Sequence, residues 1–399
     1  MIELDVWLTT PRNQVLQAGR IVVAPPDPSR GGRLDGQFRY LRSYLRDEKA
    51  IPLDPVNLPL SPGTFPANRP HAGVHGVFED SLPDQWGRRL LCRRHGLTGE
   101  KTRVPSLLQH IGAYALGGLS YAKPAAAPAP PLDIEKVDVE RVIEAAMKLE
   151  AGEEPPQPEL ACLLHGGSSP GGARPKILAR YQGREWLVKM PSVNDTMDVQ
   201  ALEAGCLALA REAGIETPVC RYLPAGKHSF LLVERFDVTP WGGRNHVVSH
   251  QTLLRADHYY NLAYRDVGVA TARTSSEPRR DLRRLCRQMA FNAMIGNTDD
   301  HLKNFCMLRT EEGWRLSPAY DLLTCIHKRE HVLRINSKDM GITGPDLVAE
   351  GKAMGLRHGE VQQIVQETGA AVARWRDFIG DHLPDSMPIL ERRIWQPPV

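Results

Sequence analysis

Residues 296–305 read Gly-Asn-Thr-Asp-Asp-His-Leu-Lys-Asn-Phe, the densest polar cluster in the chain. They follow directly on a segment whose apolar side chains Leu282, Leu285, Cys286, Met289, Ala293 and Met294 recur at helical spacing. A long amphipathic helix that ends in so polar a loop needs a scaffold to hold the loop still, and loops held that way are where binding and catalytic groups concentrate. The chain is long enough to build one, since 399 residues exceed a single small core and point to two or three domains. With 42% hydrophobic and 24% charged residues, neither wholesale disorder nor a fibrous repeat fits. A formal net charge of +3 lacks the positive field of a dedicated nucleic-acid binder, which leaves any DNA contact to a partner.

No window approaches the roughly 18 apolar residues that span a bilayer. The start, Met1-Ile2-Glu3-Leu4-Asp5, carries acids where a secretory signal has a basic end and an apolar run. A cytoplasmic protein without membrane contact is expected. The seven cysteines, Cys92, Cys162, Cys206, Cys220, Cys286, Cys306 and Cys325, are scattered and form no C-x-x-C pair. They read as reduced, small core residues, and not as a zinc site or a disulfide framework.

Short β-prone runs (residues 4–8 and 20–24) alternate with Pro- and Gly-rich turns up to about residue 121, as in a small α+β unit. Within it, Phe38, Leu41, Tyr44 and Leu45 predict one amphipathic helix and residues 86–91 another. Residues 123–131 are an Ala/Pro tract expected to be a linker or exposed loop. A helix over 139–149 is stopped by the Pro155-Pro156 region. Next come a glycine-rich stretch from His165, two β-like runs around Gln182-Gly183, a helix marked by Val199, Leu202, Cys206, Leu209 and Ala213, and an apolar strand over 230–233. Helices dominate from Asp281 onward. No repeat of solenoid period is present.

Asp299 and Asn304 stand five residues apart, the separation between the proton-accepting aspartate and the metal-holding asparagine of the protein-kinase catalytic loop. Seventeen residues after Asn304, Asp321 takes the relative place of a second magnesium ligand, and the two side chains supply the oxygen donors a hard cation requires. Upstream, in the same order as in kinases, Gly171 and Gly172 permit close backbone approach to phosphates, and Lys189 ends a β-like run as a phosphate-binding lysine does. Lys176 assists from the loop. Because Ile177 follows Lys176, this is not a Walker A site. Glu234, Arg235 and Phe236 then form the hinge whose backbone amide and carbonyl meet adenine, and Glu203 lies on the helix face that can reach Lys189.

These segments resemble a known family. Ser169-Pro170-Gly171-Gly172-Ala173-Arg174-Pro175-Lys176, Val233-Glu234-Arg235-Phe236-Asp237, the 296–304 loop and Tyr320-Asp321 are similar to the HipA family of serine/threonine kinases, the toxins of bacterial toxin–antitoxin modules. Residues 78–88, Phe-Glu-Asp-Ser-Leu-Pro-Asp-Gln-Trp-Gly-Arg, resemble that family's N-subdomain. The resemblance implies an α+β, two-lobed, protein-kinase-like fold: an N-subdomain (1–122), a linker with the β-rich part of the N-lobe (123–236) and a mostly helical C-lobe (237–399). It implies ATP and Mg2+ as cofactors, Asp299 as catalytic base, Asn304 and Asp321 as metal ligands, and Lys189 on the phosphates. His301 and Lys303 join the nucleotide-facing loop, residues 171–176 cover the phosphates, and Ser169 matches the serine autophosphorylated in that loop. It further implies a protein substrate such as an aminoacyl-tRNA synthetase, and a helix-turn-helix antitoxin that tethers the kinase to operator DNA. Family loops often carry Gln where Arg174 stands, and Ser168 beside Ser169 leaves the acceptor open between the two.

Plainer readings compete with each of these. An isolated Asp-Asp pair most often caps a helix, a lone glycine-rich loop seldom marks a nucleotide site, and Lys189 with Glu203 would be an ordinary surface ion pair worth about 0–1 kcal/mol. His301 by itself is more simply a structural hydrogen-bonding residue. Arg273, Arg279, Arg280, Arg283 and Arg284 read as a solvated helix face. It is the ordered set of motifs that favours the kinase. Two rivals stay open: a small-molecule phosphotransferase using the same loop, and an inactive co-repressor acting with a DNA-binding antitoxin.

Overall fold

Leu4, Val6 and Leu8 alternate with polar neighbours, and the segment holding them is the strand β1 (Ile2–Thr9), paired antiparallel with β2 (Val15–Val23). The computed structural model describes residues 1–69, 71–111, 115–122, 132–166, 174–257, 261–380 and 383–394. The first sheet is completed by β3 (Gly36–Tyr40), β4 (Phe65–Pro66) and β5 (Leu119–Ala122), in the order β4-β3-β2-β1-β5. Here the helix expected from Phe38 to Leu45 is corrected, because Phe38 and Tyr40 lie in β3 and only Arg42–Leu45 is helical. Buried aromatics at 38, 40 and 44 satisfy a period of two as well as a period near four, and their β-propensity decides for the strand. The helix expected over 86–91 is present as Gln85–His95.

The second sheet contains β6 (Leu132–Asp133), β7 (Lys176–Tyr181), β8 (Arg184–Lys189), β9 (Cys220–Ala225) and β10 (His228–Glu234), in the order β6-β7-β8-β10-β9. The β7–β8 hairpin turns at Gln182 and Gly183, both at positive φ (48° and 73°), the pair of left-handed residues that a tight hairpin needs. Against this sheet packs the helix Val199–Glu212, opened by Asp198, which accepts from the Ala201 amide at 2.9 Å. The Ala/Pro tract at 123–131 and the glycine-rich loop at 167–173 lie outside the described residues.

The third part is organised around the helix Pro278–Ile295, which begins with proline at its first turn and stops at Gly296 in the left-handed conformation (φ 67°). That stop launches the polar loop. A small sheet also sits here, unannounced by the sequence pattern: β11 (His246–Ser249), β12 (Cys306–Thr310) and β13 (Gly313–Leu316), in the order β11-β12-β13. Helices Gly344–Ala353 and His358–Val372 pack on the central helix or on one another.

The first sheet's unit is fastened across the rest by polar contacts. Gly117 N–H donates to Asp237 at 2.8 Å, Arg235 to the Ala115 carbonyl at 2.9 Å, and Ser249 N–H and hydroxyl to Asp80 at 2.9 and 2.7 Å. His246 Nε2 meets the Leu53 carbonyl at 2.8 Å, while His250 bridges the Phe305 carbonyl and the Thr271 hydroxyl, both at 2.9 Å. Burial pushes the pKa of each of these histidines down to about 4. The unfolded chain therefore binds protons that the folded one refuses, so the stability held above pH 6.5 is lost as pH falls toward 4. Between pH 7 and 5 the two should cost about 2 kcal/mol each, read as a falling urea midpoint. A midpoint that stays level over that range in the wild type, with no difference from His250→Gln, would refute the assignment.

Candidate active site

Two features of local sequence deliver the central lysine and its acceptors. The β8 strand ends at Lys189, and the capped helix Val199–Glu212 turns Glu203 toward it. Lys189 Nζ ion-pairs with both Glu203 and Asp321, residues 14 and 132 positions away in the chain. This pair is largely buried, with side-chain exposures of 13% for Lys189 and 8% for Glu203, which rules out the ordinary surface ion pair. Burial alone would lower the Lys189 pKa, but the charges of Asp321 and then Glu203 overcome it and hold the ammonium form firmly. For Asp321, burial works upward and is overcome by Lys189 and then Lys176, leaving its pKa at about 2. Glu203 is shifted upward, burial outweighing its lysine. Of the two carboxylates, Asp321 keeps its charge the more firmly.

Asp321 has a left-handed backbone (φ 52°), a strained conformation for a non-glycine residue of the kind that clusters at functional sites. Asn297 holds it there: its side-chain nitrogen donates to the Asp321 carbonyl at 3.3 Å and to Asn292 at 3.1 Å. Asn304 donates through its side-chain nitrogen to the Asp299 carbonyl at 2.8 Å. Its amide oxygen is thereby left as an open acceptor among the described residues. Lys303 pairs with Asp84 at 3.0 Å, and its carbonyl accepts from the Tyr320 hydroxyl at 2.6 Å.

One cleft collects most of these groups. Lys189, Glu234, Arg235, Phe236, His301, Lys303, Asn304 and Asp321 all line it, together with an apolar wall that includes Leu178, Leu187, Val233 and Val247. The Phe236 ring stacks on Tyr320 with centroids 5.4 Å apart. Cys306 also lines the cleft, where burial pushes its thiol up to about 12 and disfavours the reactive thiolate. The oxygen donors of Asn304 and Asp321, next to a space that a phosphate chain can enter, fit a magnesium ion, which is bound through one or two protein oxygens plus phosphates.

Other expected site residues stand differently. Asp299 is exposed, does not line the cleft, and its carboxylate accepts no hydrogen bond from the described residues. Its neighbour Asp300 is buried and accepts from Tyr264 (2.9 Å), His331 (2.8 Å) and the Val332 amide (2.8 Å). Lys176 is buried opposite Lys189 in the β7–β8 ladder, and burial lowers its pKa. Pro175 is buried as well, whereas Arg174 is exposed and ion-pairs with Asp195, away from the cleft lining. Ser169, Gly171, Gly172 and Ala173 lie outside the described residues.

The hinge expectation is narrowed. Glu234 N–H is taken by the Val219 carbonyl at 2.8 Å and Arg235 N–H by the Glu185 carbonyl at 3.1 Å, whereas the Phe236 amide finds no acceptor among the described residues. The Arg235 side chain is buried and bound to Asp237 (3.0 and 2.6 Å), which makes it a brace behind the hinge. Sequence reasoning missed Asp80, Leu82, Asp84 and Leu116, which reach the cleft from the first sheet's unit. The family resemblance of residues 78–88 marked the segment that holds the first three, without giving them a place in the site. The arginines of the central helix are mostly neutralised, as a solvated face requires: Arg280 and Arg284 by Glu216, and Arg279 and Arg283 by Glu360.

Comparison with known proteins fits this geometry. Residues 168–375 match the HipA-like C-terminal domain and residues 29–122 the HipA N-terminal domain. Y4mE of Sinorhizobium fredii, a protein named as a kinase, is 24% identical over 406 residues, covering 90% of this chain and 93% of its own. The serine/threonine-protein kinase toxin HipA of Shewanella oneidensis is 25% identical over 317 residues, covering 70% of this chain and 69% of its own. A solved structure of the Shewanella oneidensis toxin–antitoxin system, HipA with HipB and operator DNA, superposes with a TM-score of 0.70 at 19% identity, over 97% of this chain and 94% of that one, and so shares the fold. No helix among the described residues is long and apolar enough to cross a membrane. With the C-terminal domain match covering more than half of the sequence and the two-lobed fold shared from end to end, this protein belongs to the HipA family of toxin kinases.

Proposed function

We propose that the chain is an ATP-dependent serine/threonine protein kinase. The observation that carries this reading is convergence: Lys189, Glu234 to Phe236, His301 with Lys303 and Asn304, and Asp321, from four separated stretches, line a single cleft. The apolar wall and the Phe236–Tyr320 stack suit a planar base, with the open Phe236 amide as its donor. Lys189, held charged by Asp321 and Glu203, lies at the phosphate end, where His301 and Lys303 add further positive or donor groups. When bound through Asn304 and Asp321, magnesium would supply charge neutralisation on the phosphates. Asp299, exposed and uncommitted, accepts the proton of a serine or threonine hydroxyl as its oxygen attacks the terminal phosphorus and ADP departs.

The acceptor is a protein component of translation, such as an aminoacyl-tRNA synthetase, and the kinase works in the cytoplasm. A helix-turn-helix antitoxin restrains it and supplies contact to operator DNA, a reading supported by the complex in which the Shewanella relative was solved. Residues 1–122, 123–236 and 237–399 serve as its N-subdomain, remaining N-lobe and C-lobe. Labelled ATP with magnesium and cell extract tests the activity: one labelled protein band supports the kinase, a labelled small molecule favours the phosphotransferase, and ATP binding without turnover favours the inactive co-repressor.

Regulation falls on the glycine-rich loop. A phosphate on Ser169 adds about two negative charges beside the nucleotide's own phosphates and switches the enzyme off by repulsion. Intact-mass spectrometry after incubation with ATP and magnesium should show one added phosphate in the wild type and none in Ser169→Ala. Equal uptake by both, or transfer of the loss to Ser168→Ala, would remove Ser169 from this role.

A further inference from the structure

Asp84 opens the helix Gln85–His95 at the position where a carboxylate ordinarily caps the first free amides, yet its side chain makes no capping hydrogen bond. It reaches instead to Lys303, 219 residues away, at 3.0 Å. Both residues line the nucleotide cleft, and both also line a second groove between the N-subdomain and the C-lobe, walled by Arg69, Arg88 and Gln251. The ion pair therefore stands where the two spaces meet. Its neighbours in the same segment are anchored by other means: Asp80 accepts from Ser249, and Trp86 Nε1 donates to the Lys176 carbonyl at 3.0 Å. Asp80 also faces Lys303, but among the described residues it is Asp84 that touches it, and Asp84 faces Lys176 as well.

We infer that the Asp84–Lys303 pair is a latch opened by the phosphates of a nucleotide. Lys303 exchanges the Asp84 carboxylate for phosphate oxygens, and Asp84 falls back on the amides of Trp86 and Gly87, which a helix leaves without intrahelical partners in its first turn. A waiting second partner keeps the exchange nearly balanced, and the positive end of the helix favours the carboxylate in its new place. Asp84 is thus a positioning residue through which the N-subdomain senses an occupied cleft. This latch rests on the nucleotide reading above.

Titration calorimetry of the full chain with ATP and with adenosine tests it in the wild type, Asp84→Asn, Lys303→Gln and the double variant. Asparagine can still cap the helix but cannot compete for the lysine. Asp84→Asn should therefore bind ATP about two- to fivefold more tightly, the size expected of a part-exposed ion pair, with adenosine affinity unchanged. In the Lys303→Gln background the gain should shrink to what the Asp84 charge exerts on Lys176 alone. A merely structural role for Asp84 predicts weaker binding of both ligands, and that result overturns the latch. ATP affinity unchanged by Asp84→Asn, or a gain of undiminished size without Lys303, overturns it equally while leaving the nucleotide reading intact. A wild-type chain that binds neither ligand removes both.

Discussion

Asp299→Asn will lower phosphoryl transfer by about 10²- to 10⁴-fold, the usual contribution of a positioned general base, while ATP affinity and thermal midpoint stay close to wild type. The expectation follows from how little else Asp299 does. It is exposed, lies outside the cleft lining and receives no hydrogen bond from described residues, so asparagine orphans nothing. Its main-chain carbonyl, which fixes Asn304, is retained in the variant. Single-turnover transfer with saturating ATP separates the chemical step from binding. Activity within a few-fold of wild type would move the base elsewhere in the loop.

The adjacent residue should behave in the opposite way. Asp300→Ala will destabilise the fold by about 3–5 kcal/mol, because it strips acceptors from the Tyr264 hydroxyl, His331 Nδ1 and the Val332 amide inside a closed interior. Tyr264 keeps a donor from Asn292 at 3.1 Å, but the His331 and Val332 groups lose the carboxylate that holds them. Urea denaturation reads the effect directly, and a loss below about 1 kcal/mol would show that the site relaxes around the gap. Taken together, the two variants divide one Asp-Asp dipeptide into a residue needed for turnover and a residue needed for folding.

That division was only half legible in the sequence, where the spacing to Asn304 singles out Asp299 but nothing marks Asp300 as a buried acceptor. What could be read were features with a local cause. Gly296 stops a helix whose apolar stripe is plain, the Gln182-Gly183 turn fixes a hairpin, and both consequences are present. The side chains of Lys189, Asn304 and Asp321 could be brought to one cleft on motif order alone. Contacts over long separations carried no such signal. The β11–β12 pairing joins residues some 60 positions apart through short strands, and Asp84 reaches Lys303 from a different sheet's unit altogether. Periodicity also failed where two periods coincide, as at Phe38, Tyr40 and Tyr44.

The helix Gln85–His95 bears on how far the parts of the fold that it joins can separate. Trp86 and Leu90 belong to a core built on β7, β8 and β10, while Leu91 belongs to the larger core that runs from the first sheet through the helix Val199–Glu212 to the helix Pro278–Ile295. One rigid rod rooted in two interiors bounds interlobe breathing. A wide swing would draw the Trp86 indole from its slot at a cost of several kcal/mol, on the scale of emptying a buried tryptophan site. Crosslinking across this rod should therefore leave phosphoryl transfer largely intact.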